Sequence, residues 1–141
     1  MSVEYLEHTA DVGVRARGET VKAAFCEAAR GVVSLMVSCP DVKTVFSTPI
    51  HVRAETLAGL LVEYLSELLA ARDLHGLAFG SFDARIERDG GGYVLRGTAS
   101  GERFDPGRHK PGTEVKGISY LGLDVRQEKD GSWVAECVVD V

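Results

Sequence analysis

A short polar turn near the amino end of the chain carries residue types that bind cations or transfer protons. Residues 7–11 read Glu-His-Thr-Ala-Asp, so two acids, a histidine and a hydroxyl lie close together. A carboxylate such as Asp11 suits Ca²⁺, Mg²⁺ or Mn²⁺, whereas His8 suits a transition metal or general-base chemistry. A purely structural interpretation is also open, in which Thr9 and Asp11 accept hydrogen bonds from nearby backbone N–H groups.

A second candidate lies at the carboxyl end, where residues 133–141 are predicted to form a strand. Side chains alternate between the two faces of a strand, so Asp140 shares a largely apolar face with Val134 and Val138. The α-carboxylate of Val141 follows directly, and adjacent negative groups repel each other unless a cation neutralises them. A cation site and a solvated strand end are therefore both compatible with this segment.

The third candidate is a long loop, residues 101–117, with four glycines, two prolines and seven charged residues. Connections of this length are uncommon inside a compact domain unless they bind a partner or are disordered. The loop is the most basic part of the chain, so it would meet an anionic partner or a nucleotide phosphate unless it is simply solvated. Its basic and histidine residues include Arg108, His109, Lys110 and Lys116.

Two alternatives from other functional classes remain open on the residues alone. Asp11, His109 and Asp140 would form a stand-alone metal-dependent phosphoesterase if the fold brought them together. A chaperone-like binding module would need no metal. The sequence contains no Gly-x-Ser-x-Gly elbow and no phosphate-binding loop motif, so nucleophilic catalysis has little support.

Two helices are predicted between the candidate segments. The first begins after the N-cap residue Thr20, carries apolar residues at spacings of three and four from Val21 to Met36, and ends before Pro40. The second begins after Thr56, and its leucine-rich stripe is predicted to pack on the core.

The remaining regular segments alternate or carry β-branched residues and are predicted to be strands. Pro49 indicates that its strand lies at a sheet edge or bends, and the glycine-rich turns at residues 89–92 and 130–131 predict antiparallel hairpins. The sequence therefore predicts an α+β fold in which two helices pack on one largely antiparallel sheet around a single core. The predicted strands are residues 3–6, 12–17, 44–54, 79–88, 93–104, 118–127 and 133–141.

Composition limits the classes of function that fit the chain. Its 141 residues, 45% hydrophobic and 26% charged, are typical of one globular domain spanning residues 1–141. A formal charge of −5 repels nucleic-acid phosphates, so unaided RNA binding is not expected. We expect a cytoplasmic protein, because no signal or transit peptide is visible, residues 57–71 are too short to span a membrane, and the three cysteines lack metal or redox spacing.

The three candidate segments, in this order, resemble the archease family. Residues 7–13 resemble the family's amino-terminal signature, and the chain stops at an Asp followed by an aliphatic residue, as family members do. The resemblance covers essentially the whole chain. One departure is Leu121, which stands where many relatives have histidine, so we assign it no role. The loop matches are Gly101, Glu102, Asp105, His109 and residues 113–116.

The resemblance implies a non-catalytic protein that assists the RtcB-class RNA ligase, which joins RNA ends in tRNA splicing and repair. Such proteins promote guanylylation of the ligase and its multiple turnover, and they meet RNA only through the ligase. They bind a divalent cation, Ca²⁺, Mg²⁺ or Mn²⁺, through residues that correspond here to Asp11, Asp140 and Val141, the last through a main-chain or terminal oxygen. Lys116 corresponds to a loop lysine directed at the partner, and we expect His109 beside it on the partner-facing side.

Overall fold

The computed structural model describes residues 1–7, 11–109 and 112–141 of the chain. The predictions for His8, Thr9 and Lys110 lie outside these residues. Helices α1 (Val21–Ser34) and α2 (Leu57–His75) are joined to the strands by turns and by a 3-10 helix, Cys39–Asp41. The strands in chain order are β1 (Ser2–Glu7), β2 (Asp11–Gly18), β3 (Phe46–Ala54), β4 (Leu77–Asp89), β5 (Gly92–Arg103), β6 (Gly117–Ile118), β7 (Asp124–Gln127) and β8 (Trp133–Asp140).

The strands form two antiparallel sheets. In the first sheet β1 pairs with β2 and β2 with β8, while the short strands β6 and β7 both pair with β8. The second sheet has the order β3-β5-β4. The predicted α+β class, with two helices on antiparallel strands, is confirmed; the strands divide into two sheets where we expected one.

Both helices contact strands of both sheets and therefore lie between them. Helix α2 explains why one sheet is not enough: its buried residues include Leu61, Leu65 and Leu68, but also Val62 and Leu69 to one side of that stripe. A helix with so broad an apolar surface must be covered from more than one direction. Within the described residues, no helix has the length and apolar character needed to cross a membrane.

Hydroxyl side chains cap the two helices at the positions that the sequence predicts. The Thr20 hydroxyl accepts a hydrogen bond from the N–H of Ala23 at 3.2 Å, and the Thr56 hydroxyl accepts one from Gly59 at 3.0 Å. Each bond satisfies a backbone donor that has no partner inside its helix. Helix α2 ends at Gly76, whose φ of 63° suits a residue without a Cβ atom.

Strand β3, which contains Pro49, is an edge strand of the second sheet, so the proline interrupts no inner hydrogen-bonding ladder. The predicted hairpin turns are also confirmed. Gly90 and Gly131, with φ values of 64° and 90°, lie in the turns that precede β5 and β8.

The single strand predicted at residues 118–127 is wrong, because the chain leaves the sheet between β6 and β7. The Ser119 hydroxyl accepts a hydrogen bond from the N–H of Leu121 at 3.0 Å, which forms a local turn. Gly122 then adopts a φ of 73°, and a Cβ atom there would lie 2.8 Å from the Val138 side chain. The chain thus passes close over β8 and returns to pair with it as β7.

Candidate metal and partner site

Asp11 and Asp140 lie directly opposite each other on neighbouring strands. They form the last pair of the antiparallel register between β2 and β8. Directly opposed residues of an antiparallel pair project from the same face of the sheet, with Cβ atoms about 4.5–5.5 Å apart. Two carboxylates that are distant in sequence therefore project side by side from one end of the sheet.

This pair lies on the outer face of the first sheet, away from the helices. The adjacent residues Val12 and Val139 pack in or against the hydrophobic core. Because side chains alternate along each strand, Asp11 and Asp140 point the other way. Asp140 is exposed and Asp11 is half-buried, so solvent reaches both.

Another acid on the same outer face of β8 shows how basic side chains normally compensate such a charge. Glu136 accepts a hydrogen bond from Arg15 Nε at 2.5 Å and another from Arg126 Nη2 at 3.1 Å. Burial opposes ionisation of Glu136, but the two guanidinium groups outweigh it and hold the pKa of this carboxyl below its usual range. Across the described part of the chain, no ion pair of this kind includes Asp11 or Asp140.

Space beside Asp140 is left open on the other side of β8. Gly117 in β6 is the residue paired with Asp140 there, and a Cβ atom on Gly117 would meet no other atom within 4 Å. The row across the sheet therefore reads Asp11, Asp140, Gly117, with two carboxylates followed by a gap.

Lys116 is held next to this row by its main chain. Its N–H donates a hydrogen bond to the carbonyl oxygen of Asp140 at 2.7 Å. The preceding residue, Val115, is buried in the core, whereas the Lys116 side chain is exposed. The structure thus brings Lys116 beside Asp140 while its ammonium group is left in solvent.

The segment that leads to Lys116 is tied to the end of helix α1. The N–H groups of Gly112 and Thr113 donate to the carbonyl oxygens of Met36 and Leu35 at 2.8 and 2.7 Å. These bonds satisfy acceptors just beyond the last turn of the helix. Residues 112–116 are therefore hydrogen-bonded to the end of α1 on one side and to β8 on the other.

Val141 completes the group predicted from the sequence. Its half-buried side chain packs against the core, which directs it away from the carboxylate of Asp140. The donor atoms of Val141 are main-chain oxygens only. The structure therefore brings Asp11, Asp140, Val141 and Lys116 to the same end of the first sheet.

This donor set fits a hard divalent cation that keeps part of its water shell. Ca²⁺, Mg²⁺ and Mn²⁺ prefer oxygen ligands, and Mg²⁺ in particular is often bound by one or two carboxylates and several waters. Residues 1–7, 11–109 and 112–141 contain no cluster of three or more His, Cys, Asp or Glu side chains arranged to hold a metal. Among those residues, ligands beyond Asp11 and Asp140 would be main-chain oxygens, such as that of Val141, or water.

His109 does not face a partner in this structure, which corrects that expectation. Its side chain has 0% exposure, and its ring lies 5.6 Å from the ring of Phe104, centroid to centroid. Nδ1 accepts a hydrogen bond from the N–H of Asp105 at 2.8 Å, so the ring proton is on Nε2, 3.1 Å from Glu102 Oε2. Because its side chain is fully buried, His109 stabilises the conformation of the loop through these contacts.

Glu102 is the centre of this hydrogen-bond network and has a role that the sequence did not indicate. Its carboxylate accepts hydrogen bonds from the guanidinium of Arg108, from the N–H of Lys43 at 2.6 Å, and from His109. The Arg108 guanidinium and then the Lys43 N–H lower the pKa of Glu102 to about 2. The network joins the end of β5, the loop and the segment after the 3-10 helix. The only signal for this network in the sequence was that an acid, an arginine and a histidine occur in one loop. That composition does not specify which side chains contact each other.

An open pocket of about 380 Å³ lies elsewhere, at the ends of the two helices. Its lining is mainly apolar and includes Val33, Leu68 and Phe79, but neither Asp11 nor Asp140. Asp73, which is paired with Arg72, and Glu114 also line it, but within the described residues they form no cluster of three or more metal-binding side chains. We therefore place the candidate site at the strand ends, where two carboxylates lie directly opposite each other.

Comparison with known families and proteins identifies a group of proteins to which this chain is similar. The family model described as "Archease protein family (MTH1598/TM1083)" matches residues 3–141. The protein archease of Pyrococcus furiosus is 41% identical over 138 residues, which cover 98% of this chain and 97% of that protein. The protein archease of Methanopyrus kandleri is 35% identical over the full length of both chains.

The fold agrees with a solved structure as well. The solution structure of Methanobacterium thermoautotrophicum protein 1598 matches with a TM-score of 0.88 and 29% identity, covering 99% of this chain and 98% of that one. The match therefore extends over both sheets and both helices. From the family match, the sequence identities and the shared fold, this chain belongs to the archease family.

Proposed function

We propose that this protein is a cation-binding accessory protein of an RtcB-class RNA ligase, which promotes guanylylation and multiple turnover of the ligase in the cytoplasm. Membership of the archease family supports an accessory role. The observation that carries the rest is the direct opposition of Asp11 and Asp140 beside Lys116. Within the described residues, neither carboxylate has a basic partner and no nucleophile–base pair lies beside them, so two carboxylates next to an exposed lysine suit a cation-dependent contact.

In this proposal Asp11, Asp140 and a main-chain oxygen of Val141 bind a Ca²⁺, Mg²⁺ or Mn²⁺ ion. The bound ion supplies fixed positive charge at the end of the sheet. Lys116, whose ammonium group is solvent-exposed, contacts an anionic group of the ligase or its nucleotide. These residues act by placing charge, and the covalent steps belong to the ligase.

RNA would be contacted through the ligase. The formal charge of −5 opposes direct binding to a phosphate backbone. The accessory protein would thus change the state of the ligase and leave RNA recognition to it.

The phosphoesterase alternative required His109 to lie beside Asp11 and Asp140. His109 is buried against Glu102, and among the described residues it forms no metal-binding group with Asp11 and Asp140. We expect no turnover of generic phosphate esters by the purified protein with Mn²⁺ or Mg²⁺. Turnover that is lost in Asp11→Asn would restore the enzyme hypothesis.

The proposal is tested by guanylylation of the purified ligase with and without this protein, repeated after chelation. We expect stimulation that chelation removes and that Asp11→Ala and Asp140→Asn both lack. Asp124→Asn is the matched control, because Asp124 is an exposed acid of the same sheet and is paired with Arg126. A carboxyl-terminal tag should also abolish stimulation, whereas an amino-terminal tag should be milder. Full stimulation by Asp11→Ala would favour a binding module without a metal.

A further inference from the structure

Asp140 takes part in the candidate site with two different groups. Its side chain projects beside Asp11 on the outer face of the sheet. Its main-chain carbonyl accepts the hydrogen bond from Lys116 N–H at 2.7 Å, and its backbone pairs with Gly117 in β6. One residue therefore connects the carboxylate pair to the lysine.

We propose that Asp140 couples cation binding to the position of Lys116, so that the ion serves to fix the lysine for the partner. This inference rests on the cation site of the proposed function and goes beyond it. It assigns the ion a positional role within this protein, in contrast to an ion that is carried to the ligase and released there.

The physical argument begins with the charge at the strand ends. Without an ion, the Asp11 and Asp140 carboxylates repel each other across the last register pair of β2 and β8, where strand pairing is weakest. A bound ion replaces that repulsion with attraction to both carboxylates. The backbone of Asp140 then opens less often, and its carbonyl stays in place for the Lys116 N–H.

The coupling does not depend on the lysine side chain, because the bond uses the main-chain N–H of Lys116. Lys116→Ala should therefore keep the coupling and lose only the contact with the partner. Coupling between two sites is reciprocal, so a ligase that holds Lys116 in place should also tighten ion binding by the same factor. That factor is typically about 5 to 150 for coupled sites.

The test is amide hydrogen exchange of the whole chain, followed by NMR with and without Ca²⁺, with calorimetry on the same sample to measure Ca²⁺ binding. We expect Ca²⁺ to slow exchange at the Lys116 amide at least about fivefold. The Glu128 amide is the internal control, because it donates to Ser132 O at 2.8 Å in a turn of the same sheet. Its exchange should not change.

Variants separate the outcomes. Asp140→Asn, which keeps the main-chain carbonyl, should abolish the Ca²⁺-dependent slowing, whereas Asp124→Asn and Lys116→Ala should retain it. If Ca²⁺ binds but leaves Lys116 exchange unchanged, the coupling is overturned and the cation site of the proposed function stands. If calorimetry detects no Ca²⁺ binding and Mg²⁺ and Mn²⁺ also fail to bind, the cation site and the coupling are both overturned.

Discussion

Asp11 and Asp140 are a directly opposed pair of like charges across β2 and β8, and the part of the chain that the structure describes offers neither a basic partner. Opposed like charges destabilise a sheet by about 0.2–1 kcal/mol. In the presence of a chelator and at low salt, Asp11→Asn and Asp140→Asn should therefore each raise the melting temperature slightly. Thermal unfolding measures this effect.

The control for that prediction is Asp124→Asn, which removes an ion pair with Arg126 Nη1 at 2.8 Å. It should leave the melting temperature unchanged or lower it, because an exposed ion pair contributes little. Added Ca²⁺ should raise the melting temperature of the wild type and of Asp124→Asn, but not that of Asp11→Asn. A stabilisation by Ca²⁺ that persists in Asp11→Asn would place the ion elsewhere.

The Glu102 network predicts a specific loss of stability in acid. Hydrogen bonds from Arg108 and Lys43 lower the pKa of Glu102 from 4.5 to about 2 in the folded protein. The folded state therefore binds this proton less readily than the unfolded state, so the contribution is complete above about pH 5 and is lost as the pH falls toward 2. Urea unfolding at a series of pH values should show this loss in the wild type and a flatter profile in Glu102→Gln. Identical profiles for the two proteins would mean that Glu102 has an ordinary pKa.

The bond between His109 and Glu102 should appear as an energetic coupling. His109→Asn, which is too short to reach Glu102, should lower the free energy of unfolding by about 1–3 kcal/mol, because a buried polar group is left without its partner. Combined with Glu102→Ala, which removes the acceptor, the two effects should be non-additive, since both changes break the same bond. A double-mutant cycle by urea unfolding measures this, and additive effects would show that the two side chains do not interact.

Burial between the two sheets predicts different costs for two leucines of the same helix. Leu65 is 1% exposed inside the core, whereas Leu74, at the end of α2, is 79% exposed. Leu65→Ala should lower the free energy of unfolding by about 2–5 kcal/mol, and Leu74→Ala should change it by no more than about 0.5 kcal/mol. Denaturant unfolding distinguishes the two cases. Equal costs would argue against a helix covered from both sides.

The elements of this fold were predictable where a local signal specified them. Thr20 and Thr56 cap helices because a hydroxyl before an apolar periodic run satisfies free N–H groups. Gly90 and Gly131 mark hairpin turns because a positive φ favours glycine. The prediction of a single strand at residues 118–127 was wrong because Gly122 lies over Val138, where the chain leaves the sheet. Alternation of side chains alone does not reveal where a strand leaves its sheet.

The site was predictable only in part, because its contacts are long-range. Nothing local in the sequence pairs Asp11 with Asp140; their opposition depends on the register between the second and the last strand. The family resemblance supplied that link. His109 was misplaced for the complementary reason: its place in a basic loop beside Lys116 suggested a partner-facing side chain, whereas Glu102 and Phe104 bury it.

The double attachment of residues 112–116 has an entropic consequence. Hydrogen bonds to Leu35 and Met36 at one end and to Asp140 at the other already restrict the backbone before any partner arrives. A protein that binds Lys116 therefore mainly has to immobilise one flexible side chain. The loss of conformational entropy costs about 0.5–1.5 kcal/mol. Little of the interaction energy would be lost in ordering this segment, so even a small contact area around the lysine can give a specific complex.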